Sequence, residues 1–126
     1  MSISNYLEDK LLDQILRNTT FPAISAVWGS LHTADPGEAG TASPLASAPR
    51  FALAFGAAAS ATGANNATAS VVVSATGTLT HLGLWDGSST ATANHLWSGT
   101  ITPNITVANA GDTVTVAVGA VTVNLS

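Results

Sequence analysis

Residues Ala108–Leu125, ANAGDTVTVAVGAVTVNL, carry the pattern that decides the fold. Valine alternates with threonine or alanine from Thr113 to Val118, and an apolar–polar alternation resumes from Val121 to Leu125. A period of two is typical of β-strands that bury one face. The link Gly119-Ala120, with glycine first, predicts a hairpin closed by a type II′ turn. We therefore expect a β-sheet protein whose last two strands pair with each other.

Further short apolar runs, separated by turn-forming segments, predict the remaining strands. They are Ile24–Thr33, Arg50–Gly56, Val71–Val73, Leu79–Asp86, His95–Ile101 and Ile105–Val107. Leu79–Asp86 and His95–Ile101 are expected to pair as a hairpin, with Leu82, Leu84, Leu96 and Trp97 in the core. Val71–Val73, apolar on both faces, reads as a central strand, and Pro103 is expected to set Ile105–Val107 apart as an edge strand. About seven or eight strands at this spacing predict a mainly β fold, an antiparallel β-sandwich or a jelly-roll-like barrel.

One amphipathic helix is predicted at the N-terminus, over Asn5–Arg17. Its apolar residues fall on one stripe at helical spacing: Leu7, Leu11, Leu12, Ile15 and Leu16. Asn5 followed by Glu8 fits a capping box, with Ser4 as the alternative cap. The helix has two interpretations, a lid over its own sheet or a docking helix on a neighbouring protein. The chain is thus expected to be one domain over residues 1–126, with a helical segment at 1–20 and the β-sandwich at 21–126.

The charge pattern excludes several classes of partner. The net charge is −4 with only three lysines and arginines, so the cation cluster that nucleic acids or anionic membranes require is missing. Charged residues make up 8% of the chain, against roughly 25% in ordinary domains. From Phe51 onward the only charged residues are Asp86 and Asp112. A neutral surface of this kind favours extensive contacts between subunits. No apolar run approaches a membrane span, and the N-terminus lacks the basic start of a signal peptide, so we expect synthesis in a cytoplasm.

The sequence predicts neither catalytic nor metal-ligating residues, and no cofactor. The chain has no cysteine, and its three histidines, His32, His81 and His95, fit no compact ligand spacing. His81 and His95 could face each other across the predicted hairpin, but a hydrogen-bonding histidine is the commoner role in a sheet. The acidic residues outside the helix stand in turn-forming contexts, and no G-x-S-x-G motif is present.

Three tryptophans leave a sugar-binding alternative open. Trp28, Trp85 and Trp97 could form an aromatic platform for a host-surface glycan. Each also lies inside an apolar run, where core packing is the ordinary role of the indole ring. A long segment without periodicity, from Ala34 to Pro49, follows the first of these runs. Loops of that length are usually functional or reach a neighbour.

The chain resembles a family of small virion structural proteins of tailed bacteriophages, often labelled tail fibre proteins. The resemblance rests on the opening SNYLEDKLLDQILRNTTF, on VWGSLHTADPGEAGTA, on LTHLGLWD and NHLWSGTI, and on the closing NAGDTVTVAVGAVTVNL, in that order. It covers nearly the whole chain, and Arg50 and Phe51 keep the basic and aromatic character that the family shows there.

The resemblance implies a virion component without enzymatic activity. A fibre shaft would show long repeats, which this chain lacks. We therefore predict a capsid decoration or cement protein that binds the major capsid protein and itself, most simply as a homotrimer; the alternative is a tail fibre or tail-tip component that contacts other tail proteins or a host glycan. The residues predicted to dock on the capsid come from the helix and the long loop: Leu7, Leu11, Ile15, Pro44 and Arg50.

Overall fold

The computed structural model describes residues 2–125 and confirms a mainly β fold with antiparallel sheets and one N-terminal helix. Its elements, in chain order, are β1 (Ser2–Ile3), α1 (Asn5–Leu16), β2 (Val27–His32), β3 (Phe51–Leu53), β4 (Thr62–Ala64), β5 (Ala69–Val72), β6 (Gly77–Trp85), β7 (His95–Val107), β8 (Thr113–Val116) and β9 (Thr122–Asn124).

The main sheet has five antiparallel strands in the order β1-β7-β6-β2-β3. The two faces of this sheet differ, as the residues of β2 show, because successive side chains of a strand point to opposite faces. Trp28, Ser30 and His32 pair with Trp85, Gly83 and His81 of β6 on one face, which we call the polar–aromatic face. Gly29 and Leu31 pair with Leu84 and Leu82 on the other, the core face. The sheet therefore turns its aliphatic residues to one side only.

The hairpin predicted from Leu79–Asp86 and His95–Ile101 is present as β6 and β7. Leu82, Leu84 and Leu96 are buried, and Trp97 packs against the same core. Pro103 does not end the strand as expected. It lies in an irregular stretch, where Leu79 pairs with Ile105 but His81 already pairs with Thr100. The extra residues bulge out of β7, so proline removes no ladder hydrogen bond there and the strand continues to Val107.

Two short ribbons form a second layer on the core face. β5 pairs with β8, and β4 pairs with β9. One buried cluster joins Val71, Val114 and Val121 of this layer to Leu31 and Leu82 of the sheet. The molecule is thus a sandwich of one five-stranded sheet and two ribbons.

The prediction that the last two strands form a hairpin is wrong. β8 and β9 belong to different ribbons, although the alternating pattern placed both strands correctly. The link between them is a turn in which the Ala120 N–H donates to the Ala117 carbonyl. Gly119 is the third residue of that turn with φ of +75°, which is the type II arrangement rather than type II′.

Asn65 is the physical reason why these strands separate. Its side chain is 1% exposed, accepts from the Val121 N–H at 2.9 Å and donates to the Ala117 carbonyl at 2.8 Å. Its backbone N–H donates to the Val121 carbonyl, and its own carbonyl accepts from the Gly119 N–H. Asn65 therefore binds backbone groups on both sides of the link that a hairpin would have paired with each other.

Val71–Val73 is not a central strand, as the sequence had predicted. β5 has β8 as its single partner in the described structure, and Val72 is 59% exposed while Val71 and Val73 are buried. The segment alternates like any strand at the edge of a sandwich. Three consecutive valines concealed this alternation, because apolar residues on the solvent side look the same in sequence as buried ones.

The helix begins after Ser4, the cap that the sequence left as the alternative. The Ser4 hydroxyl accepts from the Leu7 N–H, as an N-cap should, and also donates to the His95 carbonyl. The preceding strand β1 pairs with β7 through Ser2 and Ile3. The first turn of α1 is therefore fixed to the sheet from two directions.

Replacing Asn65 with alanine tests its role in the second layer. Asn65→Ala leaves the buried Val121 N–H without a partner, whereas the Ala117 carbonyl keeps the Ala120 N–H as its donor. We expect a loss of about 2 kcal/mol in the free energy of unfolding, since an unsatisfied buried group costs about 1–3 kcal/mol. Urea denaturation followed by circular dichroism measures it. The control is the exposed neighbour Asn66→Ala, expected to stay within about 0.5 kcal/mol of the parent. Equal losses in the two variants would contradict this role.

Candidate functional site

The polar–aromatic face is covered by part of the long loop, residues 34–44, which we call the strap. His32 Nδ1 lies 2.8 Å from the Ala42 carbonyl, and His95 Nδ1 lies 2.9 Å from the Glu38 carbonyl. A carbonyl only accepts, so both imidazoles carry a proton on Nδ1 and donate to the strap. Two histidines from two different strands thus hold one loop.

Trp85 lies at the centre of the contacts beneath the strap. Its ring is 4% exposed and packs against the ring of His95, with centroids 5.0 Å apart. Its indole N–H donates to the Ser30 hydroxyl at 2.8 Å, and this hydroxyl lies 2.7 Å from His32 Nε2. Because His32 carries its proton on Nδ1, the Ser30 hydroxyl is the donor to Nε2. Trp85 is far from Ser30 and His32 in sequence, and the pairing of β2 with β6 brings them together.

Arg50, predicted to dock on a partner, is engaged within its own chain. Its guanidinium lies 3.6 Å from the ring centroid of Trp85, a cation–π contact, and Nη1 donates to the carbonyls of Gly87 and Ser89. Burial lowers the pKa of Arg50, and the nearby Asp86 carboxylate acts in the opposite direction. Arg50 therefore secures the loop after β6 to Trp85, while docking through Arg50 stays a prediction.

The three tryptophans do not share one surface. Trp28 and Trp85 are cross-strand partners on the polar–aromatic face, whereas Trp97 pairs with Leu84 on the core face. Trp28 is half-buried. A single platform of three indoles is therefore not assembled within the chain. Of the two tryptophans on the polar–aromatic face, Trp28 is more accessible to solvent than Trp85.

The apolar stripe of α1 divides into a buried and an exposed part. Leu7 is 3% exposed and Leu11 is half-buried, so the first turns act as a lid. Leu12, Ile15 and Leu16 are 55%, 74% and 75% exposed, and we call these three residues the free stripe. Pro44, the remaining predicted docking residue, lies exposed at the end of the strap, where it bridges to His32. Helical periodicity located the whole stripe but could not show how much of it the core covers.

An apolar groove of about 280 Å³ opens where the β4–β9 ribbon meets the main sheet. It is lined chiefly by Val27, Phe55, Leu84, Leu96, Trp97, Val123 and Leu125. None of its lining residues is charged, so it could take an apolar side chain from a neighbour.

The histidines are placed for hydrogen bonding rather than for metal binding. His81 faces His32 across β2 and β6, not His95, and its Nδ1 lies 2.8 Å from the Thr80 hydroxyl. Within residues 2–125, His, Asp and Glu side chains form no group of three that could hold a metal ion. Over the same residues, no helix has both the length and the apolar character to cross a membrane.

Comparison with known proteins identifies one family. The family model for the podophage GP4 fiber I protein gp80 matches residues 2–124, nearly the whole chain. None of the curated proteins compared with the chain matches it.

Gly40 tests how closely the strap packs on the histidine. Its φ is +70°, and a Cβ there would lie 2.5 Å from the His95 ring. Gly37 is the matched control, since its φ is +69° but a Cβ would meet nothing within 4 Å. Both alanine variants carry the cost of a left-handed backbone, about 1–2 kcal/mol. Gly40→Ala should lose about 1–3 kcal/mol more, because it overpacks the site. Urea denaturation measures the difference, and equal losses would contradict tight packing of the strap.

Proposed function

The chain belongs to the podophage fiber I protein gp80 family, and we propose that it is a non-enzymatic subunit of the virion's fibre that attaches to its neighbours through the free stripe of α1. Membership of this family makes the protein a phage virion structural component. The attachment surface, the partners and the place on the virion are the proposal.

Exposure of the free stripe is the observation that carries the attachment. Leu12, Ile15 and Leu16 are spaced three and four residues apart, so they form one patch on one side of the helix. Complete burial of such a side chain contributes about 1.5–3 kcal/mol. Three together could hold a weak contact, and repetition over symmetric positions would multiply its strength through avidity.

The fixed first turn of α1 makes the free stripe a prepared surface. Ser4, Leu7 and the β1–β7 pairing hold the helix before any partner arrives. A docking helix that is already ordered avoids the entropy cost of folding on binding. This favours attachment by a rigid patch over attachment by a disordered arm.

The description of the family as a fibre protein supports a place in the fibre. Decoration of the capsid, with the major capsid protein as partner and a homotrimer as the oligomer, is the second candidate. The compact single sandwich without shaft repeats favours it. Glycan recognition by Trp28, Trp85 and Trp97 has weaker support, because these indoles lie on two different faces.

A triple variant, Leu12→Gln, Ile15→Gln and Leu16→Gln, tests the attachment. These side chains are mostly exposed, so each substitution should change the free energy of unfolding by no more than about 0.5 kcal/mol. The occupancy of the variant in assembled virions should fall at least about tenfold, since the loss of only 1.4 kcal/mol of contact energy has that effect. Quantitative mass spectrometry of purified virions measures the occupancy, and cryo-electron microscopy of the parent virion locates the subunit.

The matched control changes another side of the same helix. Asp13→Asn with Arg17→Gln removes a surface ion pair, which contributes at most about 0.5 kcal/mol, and should leave occupancy unchanged. A folded triple variant at parental occupancy would overturn attachment through the free stripe. If cryo-electron microscopy of the parent virion showed the subunit on the capsid shell rather than on a fibre, capsid decoration would replace the fibre as its location.

A further inference from the structure

We propose that the strap is an acid-released cover: protonation of His32 detaches residues 34–44 from the polar–aromatic face and exposes the ring of Trp85. This inference does not depend on the proposed function. It rests on the direction of the hydrogen bonds beneath the strap and on the charges around them.

At neutral pH three hydrogen bonds beneath the strap form a chain in which each group donates to the next. Trp85 Nε1–H donates to the Ser30 hydroxyl, this hydroxyl donates to His32 Nε2, and His32 Nδ1–H donates to the Ala42 carbonyl. Every donor in the chain has one acceptor. His32 is 2% exposed, so water does not compete for its nitrogens.

Protonation of His32 breaks this chain at Ser30. Both nitrogens of an imidazolium are donors, so Nε2–H would have to donate to the Ser30 oxygen, which already accepts from Trp85. The Ser30 hydroxyl proton would then lose its acceptor in a part-buried site. Such a group costs about 1–3 kcal/mol, and swinging the His32 ring outwards, with release of Ala42, relieves the cost.

The charges around His32 also oppose a proton. Burial is the largest cause that lowers the pKa of His32; the bond to the Ala42 carbonyl opposes it, and His95, His81 and Arg50 lower it further. Three acidic residues lie on the neighbouring segments, Asp35 and Glu38 in the strap and Asp86 after β6. Their carboxylates accept hydrogen bonds from Gly37, Asn5 and Asn94 rather than from His32. None of the three is among the groups that act on the pKa of His32, whereas Arg50 is.

The sign of the pH effect follows from the lowered pKa of His32. The open strap binds the proton more tightly than the closed strap, because the ring is hydrated when the strap is open. The closed state is fully favoured above the ordinary histidine pKa of 6.5, and it loses stability as the pH falls below that value. Acid thus favours opening.

His95 makes release cooperative across the strap. Its Nδ1–H holds the Glu38 carbonyl, and its Nε2 is buried without a hydrogen-bond partner among residues 2–125. His32 and His95 thus anchor the same loop, and weakening either anchor loosens it.

The strap opens before the sandwich because little else holds it. Most of its residues are exposed, with Pro36 and Gly40 as the buried exceptions. Segments with few buried apolar contacts open locally at a lower free energy than the core does. At the end of the strap the Thr33 N–H donates to the Ser43 carbonyl, and just beyond it the Leu45 N–H donates to the Leu31 carbonyl. These bonds mark where the loop would hinge.

Hydrogen exchange of the full-length protein between pH 7.5 and 5 tests the proposal. Protection factors, which correct for the intrinsic pH dependence of exchange, are compared for strap amides (Gly40, Ala42) and for amides of β6 and β7. We expect strap protection to fall at least about fivefold, the equivalent of one hydrogen bond of about 1 kcal/mol, while the β6 and β7 amides stay protected. Parallel loss in strap and core would mean global unfolding and would overturn the proposal.

His32→Asn separates the histidine from other causes. Its side-chain amide keeps a donor near the position of Nδ1 but takes no proton in this pH range, so the strap should lose its response to acid. The control is His81→Asn, a histidine of the same face that bonds to Thr80 and not to the strap; it should respond as the parent does. A parental response in folded His32→Asn would refute the mechanism.

A measurement on the parent protein decides the matter if His32→Asn does not fold. The imidazole carbon-bound protons of His32 titrate in an NMR spectrum, and the strap amides are observed in the same samples. The strap should open with the His32 titration. Opening at a pH where His32 is still neutral would exclude His32 as the trigger.

Discussion

The fold depends on Asn65, a polar side chain that is buried at a position typical of an aliphatic core residue. Its carboxamide and its backbone together make hydrogen bonds to Ala117, Gly119 and Val121. These bonds replace the ones that the two strands of the tail would otherwise make with each other. Because the tail separates at this point, one strand can complete each ribbon, and the two ribbons together cover the core face of the sheet. A buried amide is costly without partners, so its complete satisfaction selects this arrangement over a simple hairpin.

Local patterns in the sequence predicted the strands but not their partners. The alternation in Ala108–Leu125 places β8 and β9, and the apolar runs around Asp86 place β6 and β7. The β6–β7 pairing was predictable because a short loop joins neighbours in sequence. The β5–β8 and β4–β9 pairings join distant segments through Asn65, which looks like an ordinary loop residue. Its role has no signal in a single sequence, because asparagine is common in exposed turns as well.

In the candidate surfaces, too, the sequence predicted local features, whereas features that depend on long-range contacts appeared only in the structure. Helical spacing located the apolar residues of α1, yet Leu7 is buried and Leu16 is exposed because the sheet reaches only the first turns. His81 and His95 were expected to form hydrogen bonds rather than to bind a metal, and His95 bonds to the strap, as His32 does. That both donate to the same loop follows from the β2–β6–β7 order, which the sequence did not reveal. The tryptophans divide between two faces for the same reason.

The two acidic residues after Phe51 show how such a neutral chain can assemble. The Asp86 carboxylate accepts both hydrogen bonds from Asn94, and the Asp112 carboxylate accepts from the Asn109 N–H. Both charges serve turns of their own chain. Contacts made by the β-sandwich must then rely on shape, apolar area and hydrogen bonds, which salt screens little. The uneven distribution of charge leaves the N-terminal helix as the charged element, with the free stripe beside its acidic residues. Charge and exposed apolar area therefore meet on α1, which is why the proposed attachment is assigned to this helix.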